Sequence, residues 1–120
     1  MARLKLTIQL YCGDEIALGP GKADLLEAIA REGSISAAGR AMGMSYRRAW
    51  LLVDTMNRCF RTPLVETHPG GGKNAGTRLT ADGVAAISAY RGLSARVEEQ
   101  VPGTDFEVLA AAIRAEPLRS

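Results

Sequence analysis

The sequence has 120 residues, of which 47% are hydrophobic and 23% are charged, a composition that predicts one globular domain with its own core and excludes a disordered chain. Its apolar runs fall short of the 18 residues that a membrane-spanning helix requires, and its start does not have the pattern of a secretory signal peptide. The net charge of +2 is too small to indicate a nucleic-acid partner by itself.

The chain begins with a pattern that predicts a β-hairpin. Leu4, Leu6 and Ile8 alternate with polar residues, which is the period of a half-buried strand. A turn signal at residues 13–14 separates this run from a second short one at residues 15–18. Because an isolated hairpin is only marginally stable, we expect the helices that follow to cover it.

A helix is predicted next, at about residues 22–32. The Gly-Pro-Gly run before it ends the hairpin, and Leu25, Leu26 and Ile29 mark its buried side. Gly33 suits the left-handed position just beyond its last turn.

The segment GSISAAGRAMGMSYRRAWLLVDTM, residues 33–56, has the pattern of a helix-turn-helix. A short Ala-rich helix has to stop at Gly43, and Ser45 can cap a second helix by accepting a hydrogen bond from a free backbone N–H. We expect the second helix to extend over about residues 45–60. In helix-turn-helix proteins this helix enters the DNA major groove, and its first turn reaches the base edges.

The second helix has an exposed face that carries charge. Arg47, Leu51, Asp54 and Arg58 recur there at helical spacing, opposite the apolar residues. The alternative is a simple all-α domain, because two amphipathic helices around a glycine are common and exposed arginines often form only a solvated surface.

The distribution of charge favours the DNA-binding interpretation. Residues 31–61 contain six arginines and two acids, whereas residues 81–120 contain four arginines and six acids. The positive charge is therefore concentrated on the candidate reading helices, where it would attract phosphate.

A second hairpin is predicted directly after the helix-turn-helix. Strands at residues 64–68 and 77–80 flank the loop PGGGKNAG, which contains Lys73 and Asn74. A hairpin in this place is the wing of a winged-helix domain, and its tip would lie along the DNA backbone or in a minor groove. The alternative is a plain flexible loop. A phosphate-binding P-loop is not indicated, because neither GKS nor GKT follows.

Two further helices are predicted towards the C-terminus. Thr80 can cap a helix over about residues 81–100, and Thr104 with Glu107 forms a capping box that opens a last one. Residues spaced alternately by three and four form a seam on the longer helix, and this seam needs a partner, either the first helix of the same domain or a second protomer. The predicted dimer residues are Ile87, Tyr90, Ser94, Val97 and Val101.

The sequence does not contain the motifs of a catalytic or metal centre. His68 is the single histidine, and Cys12 and Cys59 stand at unrelated positions, so neither a zinc cluster nor a disulfide framework is predicted. A Cys59–His68 nucleophile pair is less favoured than an ordinary buried cysteine. We therefore predict no enzyme, no cofactor and no metal, and a reducing cytoplasm as the location.

The motifs GSISAAGRAMGMSYRRAW, GGGKNAG and RLTADG closely resemble the N-terminal DNA-binding domain of the ModE-type molybdate-responsive regulators. The likeness covers about residues 4–101, and LysR-type readers share the helix-turn-helix more loosely. The resemblance implies a winged helix with an N-terminal strand pair, and a homodimer joined largely through the helix after the wing and the N-terminal elements.

The sequence departs from the ModE-type pattern in one respect. Full-length ModE-type regulators carry C-terminal oxyanion-binding domains of small β-barrel type, for which these 120 residues have no room. We therefore expect no binding of molybdate or another oxyanion by this chain.

The predicted fold is α+β, mainly α: a winged helix-turn-helix DNA-binding domain over residues 1–101 with an N-terminal β-hairpin, followed by a C-terminal helical extension over 102–120, the helices serving dimerisation. The predicted function is a sequence-specific, dimeric transcription regulator that binds double-stranded DNA, with its recognition helix at about 45–60 in the major groove and its wing at 64–80 on the backbone or minor groove. The residues predicted to contact DNA are Ser34, Ser36, Ser45, Tyr46, Arg47, Arg48, Leu51, Lys73 and Asn74.

Two other functions remain open at this point. One is a protein-interaction adaptor that has the winged-helix shape without DNA binding, although the arginines in the first turn of the second helix disfavour it. The other is a repressor that responds to a small molecule bound between the C-terminal helices. The sequence does not distinguish activation from repression, and it does not identify the operator.

Overall fold

The computed structural model describes residues 2–68, 76–101 and 103–119. Within them the elements are β1 (Leu10–Cys12), β2 (Glu15–Leu18), α1 (Pro20–Glu32), α2 (Ile35–Ala41), α3 (Tyr46–Cys59), β3 (Val65–His68), β4 (Gly76–Leu79), α4 (Ala81–Gln100) and α5 (Thr104–Ala112). The strands form two antiparallel pairs, β1 with β2 and β3 with β4. The predicted α+β, mainly α architecture is confirmed. Among the described helices, none has the length and apolar character needed to cross a membrane.

The core lies between α1, α2 and α3 and is closed by the residues that lead into β3. Helix α1 begins at Pro20, whose fixed φ suits the first helical position. It ends at Gly33, which has a φ of 81°, a conformation that residues with a Cβ rarely adopt. The largest fully buried side chains are Leu25, Leu26, Ile29, Met56 and Leu64.

Small residues lie where α2 and α3 cross. A Cβ added to Gly39 would lie 3.3 Å from the Cβ of Ala49 and 3.3 Å from the carbonyl oxygen of Met44. Gly43, in the turn, has a φ of 70°. Glycine at position 39 thus leaves room for the close approach of the two helices, and glycine at position 43 permits the left-handed turn between them.

Strands β3 and β4 form the predicted wing, and one side chain of α3 holds it in place. Asn57 Nδ2 donates to the carbonyl oxygen of Val65 at 3.0 Å, and Asn57 Oδ1 accepts from the backbone N–H of Leu64 at 2.9 Å. On the other strand, the N–H of Thr77 donates to the carbonyl oxygen of Gly33 at 3.0 Å. The base of the wing is thus fastened to both α3 and the end of α1.

The first predicted strand is wrong in position. We expected it at Leu4 to Ile8, but residues 2–9 form no strand and β1 is limited to Leu10–Cys12. The turn at residues 13–14 pairs Leu10 with Leu18, the last residue of β2. Because Gly19 and Pro20 start α1 immediately afterwards, no partner strand is left for residues 4–8. They lie instead beside α4, where Tyr90 Oη donates to the carbonyl oxygen of Ile8 at 2.8 Å.

Helix α4 is joined to the domain at its N-terminal half. A Cβ on Gly83 would lie 2.2 Å from the carbonyl oxygen of Leu64, so only glycine permits this contact. Further along, Tyr90 is 4% exposed and belongs to the core of the chain, with Ile87 packed against the same cluster. Arg91 pairs with Asp24 at 2.7 Å and also with Glu27, both on α1.

The C-terminal helices give the molecule an elongated shape. Its principal extents are 58 × 33 × 27 Å and its radius of gyration is 18.1 Å, whereas a compact chain of this length would have a radius of gyration of about 14 Å. Helix α5 contains no buried residue. The domain boundary predicted at residue 102 lies outside the described residues.

Candidate nucleic-acid interface

Helices α2 and α3 begin with serine caps that fix their first turns. Ser34 Oγ accepts from the N–H of Ala37 at 3.0 Å, and Ser45 Oγ accepts from the N–H of Arg48 at 3.1 Å. Ser36, one turn into α2, accepts from Arg40 Nη1 at 2.9 Å. All three serines were predicted to contact DNA. Their oxygens are occupied within the chain, while each hydroxyl hydrogen is still available as a donor.

The first turn of α3 presents the predicted reading residues to solvent. Tyr46 is 56% exposed, and Arg47 and Arg48 are exposed beside it. Within the described parts of the chain, neither guanidinium group forms an ion pair with a carboxylate. Leu51 lies one turn after Arg47 and is also exposed. This turn therefore combines uncompensated positive charge with aromatic and aliphatic surface.

Arg58 differs from Arg47 although both were predicted on the same exposed face. Its Nε donates to Asp54 at 3.0 Å, and its Nη1 donates to Glu15 of β2 at 3.1 Å. The hydrogen bonds to Glu15 and Asp54 raise the pKa of Arg58 above its already high usual value. Because two carboxylates offset its charge, Arg58 holds the first hairpin against α3 and contributes little positive field to the reading surface.

Lys22, at the start of α1, adds a positive charge that the sequence did not predict at this surface. It lines a shallow depression together with Arg48 and Met44. Burial lowers the pKa of Lys22, and the nearby Arg48 guanidinium lowers it further, while Cys59 and Glu15 act in the opposite direction. The two cations are therefore close neighbours, although 26 residues separate them in the sequence.

A cleft of about 530 Å³ lies between the start of α2, the exposed face of α3 and the two wing strands. Trp50, 46% exposed, forms one wall beside Tyr46. The wing strands contribute Thr67 and Thr77, whose hydroxyl oxygens are 3.3 Å apart. Trp50 was not among the predicted site residues, although its spacing of four residues from Tyr46 places both on one side of the helix. The remaining lining residues are Ser34, Ile35 and Ser36.

Lys73 and Asn74, the predicted contacts at the wing tip, lie outside the described residues. The predicted dimer residues divide into two groups. Ile87 and Tyr90 pack inside the chain, whereas Ser94, Val97 and Val101 are half-buried towards the far end of α4. No three His, Cys, Asp or Glu side chains of the described residues are grouped to hold a metal ion.

Comparison with known sequences identifies the family. A family model described as the bacterial regulatory helix-turn-helix protein, lysR family, matches residues 22–84, slightly more than half of the chain and the segment from α1 to the start of α4. The chain belongs to this family. The match includes both helices of the reading motif and the wing, which are the parts that form the surface described above.

Several relatives are molybdenum proteins. Molybdenum-pterin-binding protein MopA of Rhodobacter capsulatus is 45% identical over 73 residues, 61% of this chain and 28% of its own length. Molybdenum transport protein ModE of Azotobacter vinelandii is 44% identical over 77 residues, 64% of this chain and 28% of its own. The DNA-binding transcriptional dual regulator ModE of Escherichia coli K12 is 33% identical over 109 residues, 91% and 39% respectively. The predicted resemblance to the N-terminal domain of ModE-type regulators is confirmed, and the chain spans well under half of these relatives.

A solved structure shows the same fold. The DNA-binding domain in the crystal structure of the CbnR_DBD–DNA complex superimposes with a TM-score of 0.54, covering 78% of this chain and 97% of that one. The two sequences are 19% identical, so the likeness concerns the fold. The winged helix-turn-helix architecture is confirmed.

Proposed function

We propose that this chain is the DNA-binding domain of a sequence-specific transcriptional regulator. The observation that carries the proposal is the first turn of α3, where Tyr46, Arg47 and Arg48 are exposed and no described carboxylate offsets the two guanidinium groups. A guanidinium group presents a planar fork of donors that fits O6 and N7 of guanine. Membership of a family of regulatory helix-turn-helix proteins supports the same function.

The serines that cap the helices have a second role in this proposal. Ser34, Ser36 and Ser45 accept hydrogen bonds through their oxygens, so each hydroxyl can still donate to a phosphate oxygen. Contacts of this kind fix the register of a protein on the duplex without reading sequence. We assign the same positioning role to Lys73 and Asn74 on the wing, and to the pair formed by Lys22 and Arg48.

The cleft beside α3 supports contact with one DNA strand. The Thr67 and Thr77 hydroxyls in the cleft bond to each other and leave one hydroxyl hydrogen to donate to a backbone oxygen, while Tyr46 and Trp50 offer apolar surface for a sugar or a thymine methyl group. In this arrangement α3 occupies the major groove and the wing lies over the adjacent backbone or minor groove. Leu51, further along the exposed face, would contact the groove as an apolar residue.

The elongated shape supports a homodimer. Ser94, Val97 and Val101 continue the seam of α4 beyond the part that packs on α1, and exposed Val108, Leu109 and Ile113 lie on α5. Burying these residues against a second copy removes apolar surface from water. A dimer also doubles the sequence that is read, because the second contact becomes effectively intramolecular. Since bacterial DNA lies in the cytoplasm, the proposal implies a cytoplasmic protein, and it assigns no catalytic activity and no cofactor.

Selection of bound duplexes from a random pool tests this function. We expect enrichment of a near-palindromic site whose half-sites are separated by about one helical turn or a multiple of it. Retention of duplexes without any enriched sequence would contradict sequence-specific reading. Absence of binding at low salt would favour the adaptor alternative, in which Tyr46, Trp50 and Leu51 contact a protein.

A further inference from the structure

The fold brings together the hairpin that carries Cys12 and the end of α3 that carries Cys59, although 46 residues lie between the two cysteines in the sequence. Cys12 is the last residue of β1 and is exposed, and Cys59 is the last residue of α3 and is half-buried. Their spacing in the sequence gave no reason to pair them.

The position of the first hairpin explains the approach. Cys12 and Glu15 are opposite each other in the β1–β2 ladder, so their side chains project from the same face of the hairpin. Arg58 Nη1 and Nη2 donate to the two carboxylate oxygens of Glu15 at 3.1 and 3.3 Å. The hairpin face that carries Cys12 therefore lies against the end of α3, where Cys59 follows Arg58.

The surroundings of the two thiols are unequal. Burial raises the pKa of the Cys59 thiol. The interaction with the Cys12 thiol raises this pKa further, and the negative charge of Glu15 adds a smaller increase. Cys59 is therefore protonated at neutral pH and partly covered, both of which slow its reaction with an oxidant in solution. Cys12 is exposed and meets such an oxidant first.

We propose that Cys12 and Cys59 form a reversible intramolecular disulfide site, in which Cys12 reacts with a peroxide and Cys59 resolves the product. In the first step the Cys12 sulfur attacks one peroxide oxygen, an S–O bond forms as the O–O bond breaks, and the departing hydroxide takes the Cys12 proton to become one water. In the second step the Cys59 sulfur attacks the Cys12 sulfenic acid, the S–S bond forms as the S–O bond breaks, and the departing hydroxide takes the Cys59 proton to become a second water. Two thiols are oxidised and one hydrogen peroxide is reduced.

The bridge would enclose β2, α1, α2 and α3 in one covalent loop. A disulfide that closes a long loop stabilises the folded state mainly by restricting the unfolded chain. Because the bridge is at the C-terminal end of α3, about 20 Å along the helix from the reading turn, it does not obstruct Tyr46 or Arg47. The inference does not depend on the proposed DNA binding.

Oxidation of the reduced full chain with a small excess of hydrogen peroxide tests the proposal. We expect both thiols to disappear, the intact mass to fall by two hydrogen atoms, and a peptide map to recover Cys12 joined to Cys59. Dithiothreitol should restore both thiols. The oxidised protein should melt at a higher temperature than the reduced one. These measurements use the unsubstituted protein, so they do not depend on a variant folding.

Two serine variants test the order of the steps. Cys59→Ser should stop at a sulfenic acid on Cys12, trapped as a dimedone adduct, whereas Cys12→Ser should keep its remaining thiol through the time in which the unsubstituted protein is oxidised. A Cys12–Cys12 bridge between two molecules would overturn the proposal. So would equally fast oxidation of the Cys12→Ser variant, or independent oxidation of both cysteines to sulfinic acids.

Discussion

Arg47 and Arg58 lie on one helix in different electrostatic surroundings, and this difference determines what each can do. Arg58 is held by two carboxylates from two elements, so binding DNA would require it to exchange partners. Among the described residues, no carboxylate forms an ion pair with Arg47. Its guanidinium group can therefore turn towards a base without breaking an ion pair. The exposed face of α3, which the sequence predicted as one surface, therefore has two parts. Arg47 is available for contact with DNA, and Arg58 holds the first hairpin against the helix.

Substitution of Arg47 tests its assigned role. If Arg47 forms a two-pronged contact with guanine, Arg47→Ala should cost ~1–3 kcal/mol of binding free energy and relax the preference at one base pair. Titration of the selected duplex and of its single-base variants measures both effects. Arg58→Ala is the matched control, and we expect it to leave the base preference unchanged. If Arg47→Ala weakens binding equally on every duplex, Arg47 contacts a phosphate and not a base.

Trp50 offers a direct reporter of the cleft, because it is the single tryptophan of the chain. We expect its fluorescence emission to change in intensity and wavelength when duplex DNA covers the cleft, since the indole then leaves water. The signal should saturate at the stoichiometry found by titration and should vanish in Trp50→Phe. An emission spectrum that stays constant at saturating DNA would show that the DNA does not reach this side of α3.

Several site residues were beyond prediction because their roles arise from proximity in space. Lys22 meets Arg48, and Cys12 meets Cys59, only after the first hairpin and the start of α1 have packed against α3. Trp50 was accessible in principle, since the spacing from Tyr46 is regular. Nothing in the sequence, however, indicates that the wing strands lie beside Trp50 and make it part of a cleft.

At the scale of elements, the junction between α4 and the wing depends on one glycine. A Cβ on Gly83 would meet the Leu64 carbonyl oxygen, a backbone atom that cannot turn aside. Gly83→Ala should therefore destabilise the protein by ~1–3 kcal/mol through forced displacement of α4. Gly92→Ala, on the same helix with nothing within 4 Å of the added Cβ, should stabilise it by ~0.5–1 kcal/mol. Urea unfolding of both variants makes the comparison, and equal effects would contradict the close contact.

The wing gives a prediction that concerns affinity without specificity. Lys73→Ala should weaken binding about equally on the selected site and on random duplexes, and should reduce the slope of log K against log salt by ~1, because one phosphate contact is lost. Binding measured across a series of salt concentrations checks this. An unchanged slope would mean that the wing tip does not contact the backbone.

The helices were predicted closely because their signals are local. Apolar spacing, the glycine at the end of α1 and the hydroxyl caps of α3 and α4 determined these three helices to within about two residues. The first strand failed because its alternating pattern says nothing about a partner, and the turn at residues 13–14 leaves Leu4 and Leu6 without one. The fastening of the wing by Asn57 was also hidden, since an asparagine inside a helix gives no sequence signal for contacts with a strand eight residues later.

At the scale of the whole molecule, only part of the α4 seam packs within the chain. Its first half, at Ile87 and Tyr90, packs inside the chain. This is one of the two alternatives that the sequence left open, the other being contact with a second protomer. The second half and α5 extend beyond the core, and this accounts for the large radius of gyration. The proposed dimer is consequently expected to use the outer part of the seam.

Aspartate substitutions at two apolar residues of similar exposure test the proposed dimer. Leu109 on α5 is 61% exposed and Val84 at the start of α4 is 58% exposed, so aspartate at either position should leave the core of the chain intact. We expect Leu109→Asp to shift the sedimenting species from dimer to monomer and Val84→Asp to leave it a dimer. An unsubstituted protein that sediments as a monomer at micromolar concentration would rule the dimer out.

The attachment of α4 has a mechanical consequence for such a dimer. The helix is about 30 Å long and is fixed to the reading domain by Gly83 against Leu64 and by Arg91 against α1, so it moves with that domain as a rigid lever. A change of about 10° in the angle between two such levers changes the distance between the two reading helices by roughly 5 Å, more than the ~3.4 Å rise of one base pair. In the proposed dimer, a change in how the C-terminal ends of the two α4 helices pack together would therefore change the distance between the two reading helices.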